Sequence, residues 1–139
     1  NAGFSKAAPK DLYAPVIDDP VFGYQHVNVA AQRSDPNSLL NWTKKIVGIR
    51  KQHPAFGRGD FQFLMPDNGH VLSYLRTYED ETVLVVANLA DSPQGVSLDL
   101  ADYVGQTPAD LFSDKRLVPI SGVSYRMTLS AYEYRWLKL

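Results

Sequence analysis

The chain has 139 residues, 45% of them hydrophobic and 12% aromatic, enough for one packed domain or one plus a piece of another. Fourteen basic side chains against 15 acidic ones leave no block of like charge, so nucleic acid and an anionic membrane surface are poor partners. No apolar run reaches the ~20 residues of a bilayer crossing, and the lack of cysteine excludes disulfides, thiol catalysis and cysteine-bound zinc and fits a reducing, cytoplasmic setting.

Residues 1–27 read as loop, because Gly3, Pro9, Pro15, Pro20 and Gly23 interrupt every possible run. Yet Phe4, Leu12, Tyr13, Val16, Ile17, Phe22 and Tyr24 make it too apolar for a flexible linker. A long aromatic loop of this kind is expected to lie over a scaffold. The next stretch holds the one helix with a full set of signals. Asp35, Asn37 and Ser38 are N-cap candidates, Pro36 suits a first turn, and Pro54 closes the segment. Leu39, Trp42, Ile46 and Ile49 recur at helical spacing beside Leu40 and Val47, while Asn41, Lys44, Lys45 and Lys51 take the wet side. About 17 residues at roughly 1.5 Å each predict a helix near 25 Å long. Its apolar stripe needs a partner surface, since each buried Leu, Ile or Trp is worth ~1.5–3 kcal/mol.

Residues Pro54 to Gly59 form a joint, after which the period changes to two. Strands are predicted at Asp60–Met65, His70–Tyr78, Thr82–Leu89, Gly95–Leu100, Thr107–Phe112, Tyr125–Leu129 and Tyr132–Leu139. Turn residues separate the first four, at Pro66–Gly69, Glu79–Glu81 and Asp91–Pro93. Thr82 to Ala87 is apolar on both parities, as a central strand would be. Short strands at this spacing predict an antiparallel sandwich.

Candidate chemistry is sparse. His26, His53 and His70 lie far apart, with no second histidine or carboxylate at ligand spacing, so packing or surface roles are expected and no metal. Asp18 and Asp19 precede Pro20 and read as a turn rather than a catalytic pair. Gly57-Arg58-Gly59 is too short to cradle phosphate and precedes a strand. Asn41-Trp42-Thr43 matches a glycosylation sequon, but it falls within the helix with Trp42 on the apolar stripe. Tyr132, Tyr134 and Trp136 share one parity of the last strand, which reads first as its core side and second as a sugar-stacking platform.

Three runs carry a resemblance: Asn28-Val29-Ala30-Ala31-Gln32, Asp35 through Trp42, and Ile49 through Phe56. Together they resemble the last barrel helix of α-amylase-family enzymes, in their α-glucosidase-like branch. Asn1-Ala2-Gly3-Phe4-Ser5 looks like the end of the loop after the eighth strand, and Leu12 through Gln25 looks most like the trehalose synthases of that branch. Ala30, where an acidic residue is expected, and Phe22, where tyrosine is commoner, depart from the pattern.

The resemblance implies a mainly β chain. An antiparallel Greek-key β-sandwich, the carboxy-terminal domain of α-amylase-type enzymes, would follow the last loop and helix of a (β/α)8 barrel. Residues 1–56 would be the barrel tail and 57–139 the sandwich. Leu39, Trp42, Ile46 and Ile49 would pack on the barrel, and Asn1, Phe4 and Tyr24 would rim the substrate pocket. No catalytic residue, metal or cofactor is expected in this chain, because the family's carboxylates come from barrel strands upstream. The implied partners are that barrel in the same polypeptide, maltose and trehalose for the parent enzyme, and a second copy through the exposed stripe. An oligosaccharide α-glucosidase is the alternative parent. A freestanding carbohydrate-binding sandwich is the alternative of another class.

Overall fold

The computed structural model describes residues 5–139. The chain divides into two compact units, one running up to Gly48 and the other Ile49–Leu139.

In the first unit, a 3-10 turn at Pro9–Asp11 precedes irregular chain and a short helix, α1 (Val29–Ser34). Asn28 caps α1, its Oδ1 accepting from the Ala31 amide at 2.7 Å. The longer helix α2 (Leu39–Gln52) follows after a turn. It is 14 residues long rather than about 17, because Pro36 and Asn37 belong to that turn. Ser38 is the residue that caps it, accepting from the Asn41 amide at 3.2 Å. The run expected to hold a single helix thus holds two. Asn41, expected in water, is half-buried, and its amide donates to the carbonyls of Gln32 (3.0 Å) and Asp35 (2.8 Å). Those bonds fix the angle between α1 and α2.

The second unit opens with the last turn of α2 and a one-turn helix, α3 (Ala55–Arg58). Seven strands follow: β1 (Asp60–Phe63), β2 (Val71–Tyr78), β3 (Glu81–Asn88), β4 (Gln94–Asp99), β5 (Ala109–Asp110), β6 (Ser124–Leu129) and β7 (Tyr134–Lys138). They form a five-stranded antiparallel sheet in the order β1-β2-β3-β7-β5 and a two-stranded sheet β4-β6. All seven predicted strands are present, with ends shifted by a few residues. The exception is Thr107–Phe112, of which only Ala109–Asp110 pairs. Glu81, read as turn, begins β3, and the tight connection before it takes Glu79 to φ 53°.

The core lies between the two sheets. Val71, Leu75, Leu84, Val86 and Leu137 of the large sheet meet Val96, Leu98, Tyr125 and Leu129 of the small one, with Leu100 and Ile120 among them. Tyr125 Oη reaches the rim and donates to the Val118 carbonyl at 3.0 Å, and burial pushes its pKa up. Asn88 is buried yet satisfied: its Nδ2 donates to Ser92 and Ser130 carbonyls, both at 2.8 Å, and its Oδ1 accepts from Ala90. Val83 and Val85 face the opposite way, under α3, so both parities of β3 are buried as the sequence predicts.

The β7 aromatics need a correction. Leu137 is the strand's contribution to the core between the sheets, whereas Trp136 lies on the outer, α3-covered face. Both faces of the large sheet are covered, so aromatic parity alone could not say which one meets the second sheet.

Candidate functional site

Two places gather the residues of interest, one in each unit. In the first, residues 17–28 form a loop held by its own backbone. Asp19 Oδ1 accepts from the amides of Phe22 (2.7 Å) and Val21 (2.8 Å), and these two bonds hold its carboxyl below the usual carboxylate range. The Gly23 amide returns to the Asp19 carbonyl at 2.8 Å, and the Tyr24 amide to Ile17 at 2.9 Å. A Cβ on Gly23 would collide with the Asp19 carbonyl, so glycine is required at this close approach. Asp18 and Asp19 are therefore a turn, as the sequence indicates, with His26 beside them.

This loop frames an apolar hollow of about 490 Å³ lined by Leu12 to Ile17, Phe22, Tyr24 and Val27. Tyr24 is half-buried in its wall, while Tyr13, Ile17, Phe22 and Val27 are exposed. The other two residues expected at a pocket rim, Asn1 and Phe4, lie outside the described residues. On α2, Leu39 is 69% exposed and Trp42 42%, Ile46 is half-buried, and Ile49 is buried.

In the second unit, α3 is clamped onto the outer sheet face by the β2–β3 hairpin. Glu81 accepts from the buried Ala55 amide at 3.0 Å through Oε2 and from His53 Nδ1 at 2.6 Å through Oε1. Desolvation works to raise the Glu81 pKa, but these bonds, with the charges of His53 and Lys138, outweigh it and the value is lowered. Arg76 holds the carbonyls instead, its Nε donating to Ala55 (3.1 Å) and its Nη2 to Phe56 (3.3 Å). Glu81 thus serves as an N-cap supplied from another segment. The sequence offers no local signal for it.

Trp136 lies within this packing. Its ring centroid is 4.5 Å from that of Phe56 and 5.1 Å from that of Phe112, which also meets Tyr134 edge-on at 5.2 Å. Phe56 and Phe112 thus take up part of the Trp136 ring surface. Tyr132, at φ 55°, precedes β7 and is 67% exposed.

Most acidic side chains with a described contact bind main-chain amides. Besides Asp19 and Glu81, Asp67 accepts from Ser97, Asp99 from Ala101, Asp110 from Phe112 and Ser113, and Glu133 from Ser130. Glu133 also pairs with Arg135 at 2.8 Å; burial opposes its ionisation, and these bonds still lower its pKa. Among the described residues no group of three or more His, Cys, Asp or Glu is placed to hold a metal ion. No described helix is long and apolar enough to cross a membrane.

The family model for the maltogenic amylase C-terminal domain matches residues 61–136. A trehalose synthase from Pimelobacter sp. (strain R48) is 43% identical over 143 residues, covering 100% of this chain and 25% of that protein. An oligo-1,6-glucosidase from Parageobacillus thermoglucosidasius is 32% identical, covering 66% of this chain and 15% of that protein. The crystal structure of a trehalose-6-phosphate hydrolase from Bacillus licheniformis superposes with a TM-score of 0.67 at 28% identity, covering 91% of this chain and 22% of that one. The chain spans about a quarter or less of the length of the curated relatives it matches. Matched by this model over more than half of its length, the chain belongs to the maltogenic amylase C-terminal domain family of α-amylase-type enzymes.

Proposed function

We propose that the chain is the carboxy-terminal part of a trehalose synthase, an enzyme that interconverts maltose and trehalose by retaining intramolecular glucosyl transfer. The observation that carries this reading is the 43% identity to a trehalose synthase along the whole chain, against 32% over two thirds of it for the oligo-1,6-glucosidase. Such a reaction uses a carboxylate nucleophile and a carboxylic acid about 5–5.5 Å apart on either side of the scissile bond. A glucosyl-enzyme forms, the released glucose turns over in a closed site, and a hydroxyl of that glucose attacks the same carbon. Excluding water separates transfer from hydrolysis. In this proposal the barrel upstream supplies both carboxylates and needs no cofactor from this chain, and the enzyme is cytoplasmic.

The role of the chain itself is support. Leu39, Trp42 and Ile46 pack on the barrel, whereas Ile49 is already buried within the chain, and the loop carrying Tyr24 lies at the barrel's rim with Asn1 and Phe4. The exposure of Leu39 and Trp42 on an otherwise well-capped helix supports this. The half-buried position of Trp136 disfavours a freestanding sugar-binding module.

The test uses the gene product that contains this chain, supplied with maltose. Trehalose as main product with little free glucose is expected. Hydrolysis of α-1,6-linked glucosides with glucose as main product would overturn the reading in favour of an oligosaccharide glucosidase.

A further inference from the structure

Strand β4 ends the two-stranded sheet, bonded on one side to β6 alone. Its other edge presents main-chain groups of Gly95 and Ser97, which share a direction because alternate residues of a strand do. A row of this kind is a template for a further strand, and proteins commonly blunt it with lysine, proline or a bulge. From Gln94 to Asp99 the strand has none of these. At Gly95 even the space of a Cβ is open, with no atom within 4 Å.

The edge is nevertheless occupied. The turn between β1 and β2 leans on it, and Asp67 Oδ1 accepts from the Ser97 amide at 2.9 Å. Next to it, Asn68 Nδ2 donates to the Gly95 carbonyl at 2.9 Å and to Gln94 Oε1 at 2.9 Å. One side chain supplies an acceptor and the next a donor, the alternation a neighbouring strand would offer. Asn68 is itself fixed, since its Oδ1 accepts from the His70 amide at 2.9 Å and its carbonyl from Val71 at 3.1 Å.

We propose that Asp67 and Asn68 stand in for a missing strand on the β4 edge, and that without them this edge pairs with the same edge of a second copy of the chain. An antiparallel pair about a two-fold axis at Ser97 sets Gly95 of one copy opposite Asp99 of the other. Removing Asp67 also removes a negative charge that the two-fold axis would otherwise bring beside its own copy.

The experiment compares the 139-residue chain with its Asp67→Ala/Asn68→Ala variant, following self-association by sedimentation and the Ser97 amide by hydrogen exchange. The variant is expected to associate about tenfold more tightly than the unaltered chain, with Ser97 protection rising as concentration rises. Adding Ser97→Pro, which removes the outward N–H and leaves the β6 ladder intact, should return association to its starting level. Asp67→Asn keeps the acceptor oxygen and should behave like the unaltered chain. Faster Ser97 exchange with unchanged association would overturn the proposal and leave the turn a local brace, as would association that Ser97→Pro does not reverse. If circular dichroism shows the double variant unfolded, Asp67→Ala alone is read by the same criteria.

Discussion

Replacing Glu81 with alanine is the sharpest test of how the second unit is held together. The substitution leaves the Ala55 amide, on a residue with no exposed surface, without its acceptor, and it strips His53 Nδ1 of a partner at 2.6 Å. An orphaned buried donor costs ~1–3 kcal/mol and a charge-assisted bond adds to that, so a loss of about 2–4 kcal/mol is expected. Glu81→Gln keeps an acceptor oxygen without the charge and should lose only ~1 kcal/mol. Urea unfolding can be followed through Trp136, whose ring lies 4.5 Å from Phe56 of α3, in a Trp42→Phe background that makes it the sole tryptophan. Acid supplies the internal control. The folded-state pKa of Glu81 lies below its ordinary 4.5, so its contribution is complete above about 4.5 and lost as pH falls through the folded value. The gap between the parent and Glu81→Ala should accordingly be full near neutrality and shrink below about 4.5. A gap under ~1 kcal/mol at neutral pH, or one that stays constant into acid, would refute the reasoning.

Gly59→Ala should cost ~1–3 kcal/mol in the same urea assay, because its Cβ would sit 2.5 Å from the Ala55 carbonyl and 2.8 Å from that of Thr77. Gly57→Ala, within α3 and with nothing within 4 Å, should stay within ~0.5 kcal/mol of the parent. Gly23→Ala should open the 17–28 loop to chymotrypsin at Phe22 and Tyr24 while leaving the urea midpoint reported by Trp136 unchanged. Trp42→Ala should cost the isolated chain under ~1 kcal/mol and the longer enzyme ~3–5 kcal/mol, since the residue is exposed here and buried on the barrel in our proposal.

The strands were legible wherever alternation or a doubly apolar run left one choice, as in Val71–Tyr78 and Glu81–Asn88. What stayed hidden was set by partners distant in sequence. Nothing local in Ala55-Phe56-Gly57-Arg58 announces a helix: it contains glycine and follows proline. It exists because Glu81 takes its first amide and Arg76 its carbonyls, both from a hairpin more than 15 residues away. The short helix α1 was obscured differently, since six residues from Val29 show no apolar period and depend on the Asn28 cap and on Asn41. At the candidate site, the turn at Asp18-Asp19 could be read from Pro20, but the hollow that the aromatic loop encloses could not.

The carboxylates carry the same lesson into function. A reacting carboxylate needs a free oxygen aimed at substrate, whereas Asp19, Asp67, Glu81, Asp99, Asp110 and Glu133 each turn an oxygen to a backbone amide. At Asp19, Glu81 and Glu133 these bonds hold the carboxyl below its ordinary range and make it a poor proton donor near neutrality, the opposite of what a general acid requires. Large apolar side chains show a different imbalance. The second unit, of 91 residues, seals its sheets against one another and leaves large side chains such as Phe61, Phe63, Met65, Leu89 and Tyr132 exposed around them, while the first exposes Tyr13, Ile17, Phe22, Leu39 and Trp42 over a much smaller body. At ~25 cal/mol per Å² of apolar surface, covering those side chains would stabilise the first unit far more than any surface ion pair could. Support of a larger neighbour is therefore a role for which the physical incentive is built into the sequence, and it is the role the proposed enzyme assigns to this chain.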